Sequence, residues 1–261
     1  MICRICHQKC TPLFFKTQLN KYRVQFFRCQ ECESAQTESP YWLEEAYQEC
    51  SYALDTGMVA RTILTARLTI ALALVKQFKP GDVCLDIGGG TGMFTRMLRD
   101  AGLNAYWSDQ FGENVFAIGF EKELSEVNQP KLLTAFEVFE HFSEPSKEVS
   151  KLLETQPSFL LFSTELYQGE DQNWWYFLPN GQHVQFYSKK GLEVLAKRHG
   201  YFVQSTGNRF HLFSRTPESP KFLKNLLKIS SKIEKRAKGK WLPRTEIDHR
   251  YIREKYSGER L

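Results

Sequence analysis

The sequence lacks any apolar run close to the roughly 20 residues that a membrane-spanning helix needs. The nearest candidate, residues 63–75, is interrupted by Arg67 and is predicted to be a buried helix. The first residues also lack the basic and then apolar pattern of a secretory signal. We therefore expect no membrane span and a reducing, cytoplasmic environment, in which disulfides between the seven cysteines are disfavoured.

The composition indicates neither widespread disorder nor a third domain. The 261 residues are 42% hydrophobic and 14% aromatic, which suffices for a packed core in one large domain with a small accessory module. The net charge of +5 is uneven, because residues 215–261 hold 14 Lys/Arg against 6 Asp/Glu and the remainder sums to −3. Any attraction to polyanions is therefore expected from the C-terminal tail.

Four of the seven cysteines form two C-x-x-C pairs, separated by 22 residues, within the first 40 residues. They are Cys3, Cys6, Cys29 and Cys32. Each pair can present two thiolates from a tight turn, and four thiolates complete the tetrahedron that zinc prefers in structural sites. The alternatives are that His7 or Cys10 replaces one ligand, or that the pairs are redox motifs without metal. We expect a structural zinc ion that folds this segment.

From residue 41 the sequence becomes regular, first helical and then alternating between strands and helices. Apolar residues recur at helical spacing within 42–47 and 63–75, and Lys79-Pro80-Gly81 ends the second helix. Further predicted helices are 92–101, 146–155 and 189–199. The predicted strands are 83–87, 105–108, 132–136, 159–163, 201–205 and 210–214.

This alternation is typical of βαβ units and predicts an α/β fold with a mostly parallel, seven-stranded sheet. The dipeptide Gly207-Asn208 predicts a tight turn between the last two strands. The sheet should therefore end in an antiparallel hairpin.

The most informative segment is Val83-Cys-Leu-Asp-Ile-Gly-Gly-Gly-Thr-Gly-Met93, in which an apolar strand runs into a glycine loop and then a helix. Glycines allow a sharp turn and bring bare backbone close to a ligand, while the first turn of the following helix offers unpaired N–H groups. A dinucleotide fingerprint, G-x-G-x-x-G, would need glycine where Met93 stands. The spacing from Asp86 to Gly92 is instead D-x-G-x-G-x-G.

That spacing resembles the first motif of class I S-adenosylmethionine-dependent methyltransferases. The resemblance implies a Rossmann-like sheet and assigns cofactor binding to Asp86, Gly88, Gly90 and Gly92. It also implies an acid after the second strand that binds the ribose hydroxyls, a role that Asp109 fits because a fixed carboxylate accepts from two vicinal donors. The alternative is a purely structural glycine turn with Asp109 as a helix cap.

A second segment, Glu137-Val-Phe-Glu-His141 followed by Pro145, is similar to the segment after the fourth strand in many members of this superfamily, where it lines the cofactor and substrate cleft. The similarity implies that Glu137 contacts the cofactor and makes Glu140 and His141 catalytic candidates. Anchoring the loop or capping a helix is the alternative. Arg61, just ahead of the sheet, is a candidate partner for the cofactor carboxylate, with an ordinary solvated role as the alternative.

A third segment, residues 173–188, is rich in aromatic side chains. Its Gln182-His-Val-Gln-Phe-Tyr-Ser188 portion is similar to the histidine-containing segment of bacterial methyltransferases that act on sugars and related metabolites, in which a histidine near the methyl group serves as base. His183 is therefore the predicted general base, with a structural role as the alternative. Residues 174–176 are predicted to form a substrate wall or else a core patch.

The order of a four-cysteine module, a helix at 40–47 and a D-x-G-x-G-x-G domain resembles a group of bacterial methyltransferases with N-terminal zinc modules. Some relatives in that group methylate deoxysugars, and this sequence departs from them in lacking a long C-terminal second domain. Four units are predicted, namely a zinc module at 1–40, a helical linker over the cofactor site at 41–80, a methyltransferase domain at 81–216 and a basic, partly helical appendage at 217–261.

The sequence therefore predicts transfer of a methyl group from S-adenosylmethionine to a small-molecule or glycan acceptor, with zinc as a structural ion. One alternative is an RNA methyltransferase that holds RNA with the zinc module and the basic tail. The other is a non-catalytic scaffold in polysaccharide assembly.

Overall fold

A computed structural model describes residues 1–48, 55–237 and 239–256 of the chain. Residues 49–54 of the predicted linker and 257–261 of the predicted tail lie outside the described residues. The strands are β1 Cys10–Gln18, β2 Tyr22–Cys29, β3 Ala35–Thr37, β4 Val83–Ile87, β5 Asn104–Ser108, β6 Leu132–Phe136, β7 Phe159–Ser163, β8 Gln185–Phe186, β9 Phe202–Thr206 and β10 Phe210–Ser214. The helices are α1 Leu43–Gln48, α2 Met58–Val75, α3 Met93–Asp100, α4 Pro145–Glu154, α5 Lys189–Arg198, α6 Phe222–Ala237 and α7 Thr245–Lys255.

The main sheet has the strand order β5-β4-β6-β7-β10-β9. Strands β4 to β7 are parallel, and β6 and β7 are buried along almost their whole length, as parallel strands covered on both faces must be. Strand β10 runs antiparallel to both of its neighbours, and Gly207 lies in the turn before it with a φ of 58°. The predicted α/β architecture and its terminal hairpin are confirmed.

The prediction of seven strands is wrong, because the main sheet has six strands within the described part of the chain. The segment beside the edge strand β5 makes only one parallel bridge, between Trp107 and Glu121. Two backbone hydrogen bonds of 2.9 Å flank it, from Trp107 to the Phe120 carbonyl and from Lys122 to the Trp107 carbonyl. The chain then enters a short 3-10 turn at Leu124–Glu126, so pairing stops before a seventh strand can form.

The cysteine-rich segment folds as an antiparallel hairpin of β1 and β2, whose sheet is completed by a distant part of the chain. Strand β8 pairs with β3, placing Gln185 opposite Gln36 and Phe186 opposite Ala35. The buried face of this small sheet packs against Trp42 in one aromatic core. The predicted units 1–40 and 81–216 therefore share a sheet and a core.

The basic C-terminal segment, predicted to be an appendage, packs against the fold at several of its described residues. Helix α6 lies along α2. Arg99 of α3 donates to both carboxylate oxygens of Asp248 at 2.7 and 2.6 Å, and neither side chain is more than 5% exposed. Such two-pronged contacts compensate for the loss of hydration that burial imposes on the charges. Trp241, also buried, donates its indole N–H to the Phe78 carbonyl at 3.2 Å.

Helix α2 is long and apolar enough, by length and composition, to cross a membrane. Residues 65, 66 and 68–73 of this helix are buried in the protein, where they pack with α3, α6 and the main sheet. This packing accounts for the apolar character of the helix, as the sequence predicted for residues 63–75.

Candidate active site

The glycine loop follows β4 at the carboxyl end of the parallel strands. Gly88, Gly90 and Gly92 have φ angles of 68°, 52° and 78°, which side-chain-bearing residues rarely adopt. A Cβ atom at Gly88 would lie only 2.5 Å from Cγ2 of Val138, in the loop after β6. The two loops therefore pack together because position 88 has no side chain.

A buried carboxylate supports this loop from beneath. Asp86, 4% exposed, accepts hydrogen bonds from the hydroxyls of Thr134 at 2.8 Å and Thr95 at 3.4 Å. Burial raises the pKa of Asp86 to about 7, although both threonines oppose the shift. Of the carboxylates predicted to bind the cofactor, Asp86 is thus the one that is buried in the protein.

A second carboxylate borders the loop at the end of β5. Asp109 accepts backbone N–H groups from Gly90 at 2.8 Å, Phe111 at 2.8 Å and Gly112 at 2.7 Å. The indole N–H of Trp107 donates to the Gly90 carbonyl at 2.9 Å. These contacts fix the middle glycine on both sides and leave one of about four lone-pair positions of Asp109 for another donor.

Three predicted catalytic residues come together beside the loop after β6. Glu140 and His141 lie in the short 3-10 turn Phe139–His141, and His183 lies two residues before β8. One ligand-type atom from each of the three residues falls within 4.8 Å of the others. The imidazole centroids are 5.1 Å apart and the rings are nearly perpendicular. We call Glu140, His141 and His183 the acid–histidine cluster.

Glu140 is fully buried. Among the described residues, neither of its carboxylate oxygens has a hydrogen bond of normal geometry. Burial and the nearby Glu137 carboxylate raise the pKa of Glu140 to about 8, while the hydroxyls of Tyr176 and Thr164 offset part of that shift. A buried, poorly solvated carboxylate of this kind is costly unless a cation or a proton neutralises it.

Both histidines of the cluster are held in their neutral form. Burial lowers the pKa of His183 to about 4, and burial together with His183 lowers that of His141 to about 3. The Tyr176 carbonyl lies 3.0 Å from Nδ1 of His183. Because a carbonyl only accepts, Nδ1 carries the proton and Nε2 keeps its lone pair.

The four paired cysteines form a second cluster, at the end of the small sheet. The Sγ atoms of Cys3 and Cys32 are 3.6 Å apart and those of Cys6 and Cys29 are 3.3 Å apart, well beyond the length of a disulfide bond. All four sulfurs lie within 4.8 Å of one another.

The sequence left open whether His7 or Cys10 replaces one of the four cysteine ligands, and the positions of these two residues differ. His7 is exposed and lies outside the four-sulfur set, whereas Cys10 is buried and interacts with Cys3. Backbone N–H groups of Ile5 and Cys32 point to the sulfurs of Cys3 and Cys29 at 3.4 Å. The four sulfurs have the number and spacing of donors that a tetrahedral metal site requires.

A sequence profile described as "Methyltransferase domain" matches residues 60–206, more than half of the chain. The chain belongs to this family of methyltransferase domains. The prediction that it is a methyltransferase is thereby confirmed. The matched region contains the glycine loop, Asp109 and the acid–histidine cluster, whereas the four paired cysteines precede it.

The methyltransferase is also similar to solved structures at low identity. A calicheamicin-biosynthesis methyltransferase, in its SAH-bound form, is 16% identical, with 67% of this chain and 60% of that chain covered and a TM-score of 0.43. Magnesium protoporphyrin IX methyltransferase from Synechocystis PCC 6803 with bound SAH is 14% identical, with 67% and 97% covered and a TM-score of 0.42. The chain thus spans about 60% of the calicheamicin protein's length. No curated protein sequence matched significantly.

Two further residues predicted to bind the cofactor have protein partners in the methyltransferase. Glu137 has a φ of 56°, accepts the Ser163 hydroxyl at 2.6 Å and lies 3.5 Å from the Arg209 guanidinium. Arg61, in the first turn of α2, is ion-paired with Asp55. The Glu137 carboxylate therefore lies near that of Glu140 in the cluster. Arg61 must release Asp55 before its guanidinium can bind a ligand.

The aromatic insertion of the methyltransferase is divided between core and surface. Tyr176 and Phe177 are buried in the aromatic core that also holds Trp42, with Trp174 packed against it. Trp175 is 65% exposed. The core-patch alternative describes most of this segment, and Trp175 is the residue left to meet a partner.

Arg4, which the sequence analysis missed, links the two clusters. Its backbone lies between Cys3 and Cys6, and its guanidinium donates to the carbonyls of Thr37 at 2.5 Å and Val184 at 3.2 Å. Val184 directly follows His183. No local pattern indicates such a contact, because the partners are up to 180 residues apart in the sequence.

Proposed function

We propose that this methyltransferase transfers a methyl group from S-adenosylmethionine to a small-molecule acceptor bound beside the acid–histidine cluster. The observation that carries the proposal is the meeting of the glycine loop and the cluster at one edge of the main sheet. Gly88 is packed on Val138, only two residues before Glu140. In open α/β sheets, ligands bind outside the carboxyl ends of the strands, where both elements lie.

The residues around the glycine loop fit the cofactor. The bare backbone of Gly88, Gly90 and Gly92 would accommodate its methionine part, and Asp109 would meet the ribose with its remaining lone pair. When bound, the cofactor supplies a methyl group activated by a sulfonium. Asp86, already enclosed by two threonines, contributes by holding the loop in shape.

Glu140, His141 and His183 are proposed to act on the acceptor. His183 keeps the predicted role of proton acceptor through Nε2, because Nδ1 is occupied by the Tyr176 carbonyl. A base with a pKa of about 4 is poorly matched to neutral pH, so His183 would act with its two neighbours and not alone. The protein otherwise contributes alignment of the acceptor.

The test is incubation of the purified chain with methyl-labelled S-adenosylmethionine and separated pools of metabolites, lipid-linked glycans and RNA. Label is expected in a low-molecular-weight product, with loss of about 10²–10⁴-fold in His183→Asn. His199→Asn, whose ring contacts Ser150 away from the cluster, is the matched control. Label in RNA alone would contradict the small-molecule acceptor. Cofactor binding without S-adenosylhomocysteine production from any pool would favour the scaffold alternative.

We also propose that Cys3, Cys6, Cys29 and Cys32 hold a structural zinc ion. Four sulfurs within 4.8 Å support it, and four thiolates leave a tetrahedral ion no open position for chemistry. The ion would therefore stabilise the small sheet and would not take part in methyl transfer. Metal analysis of the purified chain should find one zinc per chain, and none would contradict the proposal.

A further inference from the structure

We propose that Glu140, His141 and His183 bind a first-row divalent cation at the acceptor side of the cleft. Their ligand-type atoms lie within 4.8 Å of one another. Two donors on one ion, each about 2.1 Å from it, are at most about 4.2 Å apart. Small rotations of the side chains therefore suffice to bring the three atoms into coordination.

Glu140 supplies the charge for such a site. It is fully buried, and both oxygens lack a hydrogen bond of normal geometry to any described residue. Folded proteins rarely leave a buried carboxylate in this condition without a partner or a metal ion. A cation between Glu140 and the two imidazoles would satisfy both its charge and its lone pairs.

The histidines are arranged as metal-binding histidines are. His183 donates from Nδ1 to the Tyr176 carbonyl, the contact that typically fixes the ring of a ligand histidine and directs Nε2 to the ion. In His141, Nδ1 is buried and has no hydrogen-bond partner within the described ranges. Two nitrogen donors and one carboxylate oxygen thus converge with lone pairs unused.

The backbone holds the three residues in place before any ion binds. The N–H of Val184 donates to the Glu140 carbonyl at 2.9 Å, which joins the His183 segment to the turn that carries Glu140 and His141. The Val184 carbonyl in turn accepts from the Thr37 N–H at 3.0 Å and from Arg4. A site on such fixed elements loses little freedom on binding.

The donor set suggests the ion and its use. Two imidazoles and a carboxylate suit Mn²⁺, Fe²⁺, Co²⁺ or Zn²⁺, and three protein ligands leave positions open for oxygen ligands. With the ion bound, a coordinated acceptor hydroxyl would have a lowered pKa and would release its proton to solvent. His183 would then be a ligand, and the proton-acceptor role proposed above would apply to the metal-free protein only. This role of the ion rests on the proposed methyl transfer, whereas cation binding itself does not.

The experiment is a Mn²⁺ titration, without cofactor or acceptor, of the chain prepared with one zinc ion per chain, in which the electron paramagnetic resonance signal measures free Mn²⁺. We expect one bound Mn²⁺ per chain and at least tenfold weaker binding in Glu140→Gln and His183→Asn. Glu144→Gln, an exposed carboxylate on the same loop, should bind as the parent does. Absence of binding in the parent, or equal binding in all variants, would overturn the proposal.

A second measurement is independent of variants and their folding. Pulsed electron paramagnetic resonance of Mn²⁺ in the parent chain, labelled with ¹⁵N-histidine, should show coupling to two imidazole nitrogens, and coupling to none would refute the site. A chain that transfers methyl groups without binding Mn²⁺ would refute the cation site alone. A chain that binds Mn²⁺ at these residues and transfers no methyl group would refute the proposed function alone.

Discussion

The two donor clusters of this chain are built alike and differ in what they leave open. Each is largely buried, and each joins residues 29 or more positions apart, Cys3 to Cys32 and Glu140 to His183. Four soft thiolates fill a tetrahedron, which suits a structural ion, whereas two imidazoles and one carboxylate leave coordination positions unfilled. The number and type of donors, more than burial, separate a stabilising cluster from a chemically competent one.

The clusters are also connected. Strand β3, which follows the second cysteine pair, pairs with β8, which follows His183. Arg4, inside the first cysteine pair, donates to the carbonyls of Thr37, Glu38 and Val184. The cysteine pairs are thus linked by strand pairing and hydrogen bonds to the segment that carries His183.

The largest expected effect comes from opening the cysteine cluster. Cys29→Ser should lose the zinc, unfold the small sheet and abolish methyl transfer, because structural zinc supplies much of the folding free energy of such modules. Zinc content and thermal unfolding measure this change. Cys10→Ser is the matched control, since Cys10 contacts Cys3 but is outside the four-sulfur set. Loss of zinc in Cys10→Ser as well would show that Cys10 is a ligand.

The opposite pattern is expected for the acid–histidine cluster. Glu140→Gln should lower methyl transfer by about 10²–10⁴-fold. It should leave stability in the metal-free state unchanged or raise it by about 1–3 kcal/mol, because the unpaired carboxylate is removed. Steady-state rates and denaturant unfolding of the chelator-treated chain test both parts. A Glu140→Gln variant that is markedly destabilised and fully active would contradict both parts of this prediction.

A smaller effect is expected for Arg4, which links the two clusters. Arg4→Lys keeps the charge and loses the fork that reaches three carbonyls, so kcat should fall by about tenfold at a stability cost of about 1–2 kcal/mol. Exposed Arg23→Lys is the matched control. Zinc content should stay at that of the parent. Unchanged kcat in a folded Arg4→Lys variant would mean that the small sheet does not position His183.

The last prediction concerns Asp86, a buried carboxylate that, unlike Glu140, accepts hydrogen bonds of normal geometry from two hydroxyls. Its pKa is raised from 3.8 to about 7, so the fold favours the protonated form and loses stability as pH rises from about 4 to about 7. Asp86→Asn should therefore gain stability relative to the parent between pH 5 and 8, by at most roughly 4 kcal/mol.

Unfolding curves of the parent and Asp86→Asn at several pH values check this prediction. Exposed Asp171→Asn provides the control. A stability difference between Asp86→Asn and the parent that does not change with pH would contradict the assignment of a raised pKa to this carboxylate.

Local patterns predicted the parts of the fold that local physics decides. The strands from 83 to 163, the helices between them and the sharp turn of the glycine loop follow from apolar runs, their period and the glycine spacing. The expectation of a seventh strand was wrong, because whether residues near Glu121 extend their pairing depends on the chain turning away at Leu124–Glu126.

Contacts between distant segments were beyond the sequence analysis. In the sequence, Gln185 and Phe186 are indistinguishable from the rest of the aromatic segment 173–188, yet in the structure they form the strand that completes the small sheet. In the sequence, Asp248 is one of six acidic residues in the basic tail, yet in the structure it is the buried partner of Arg99. The residues of the acid–histidine cluster were named from sequence, but their convergence with unused lone pairs required the structure.

Isothermal calorimetry of the zinc-loaded chain with S-adenosylhomocysteine tests the central claim, a cofactor site at the glycine loop, most directly. We predict one nucleoside bound per chain, with affinity at least tenfold weaker in Asp109→Asn. No binding heat from folded, zinc-loaded protein at any accessible temperature would contradict the claim.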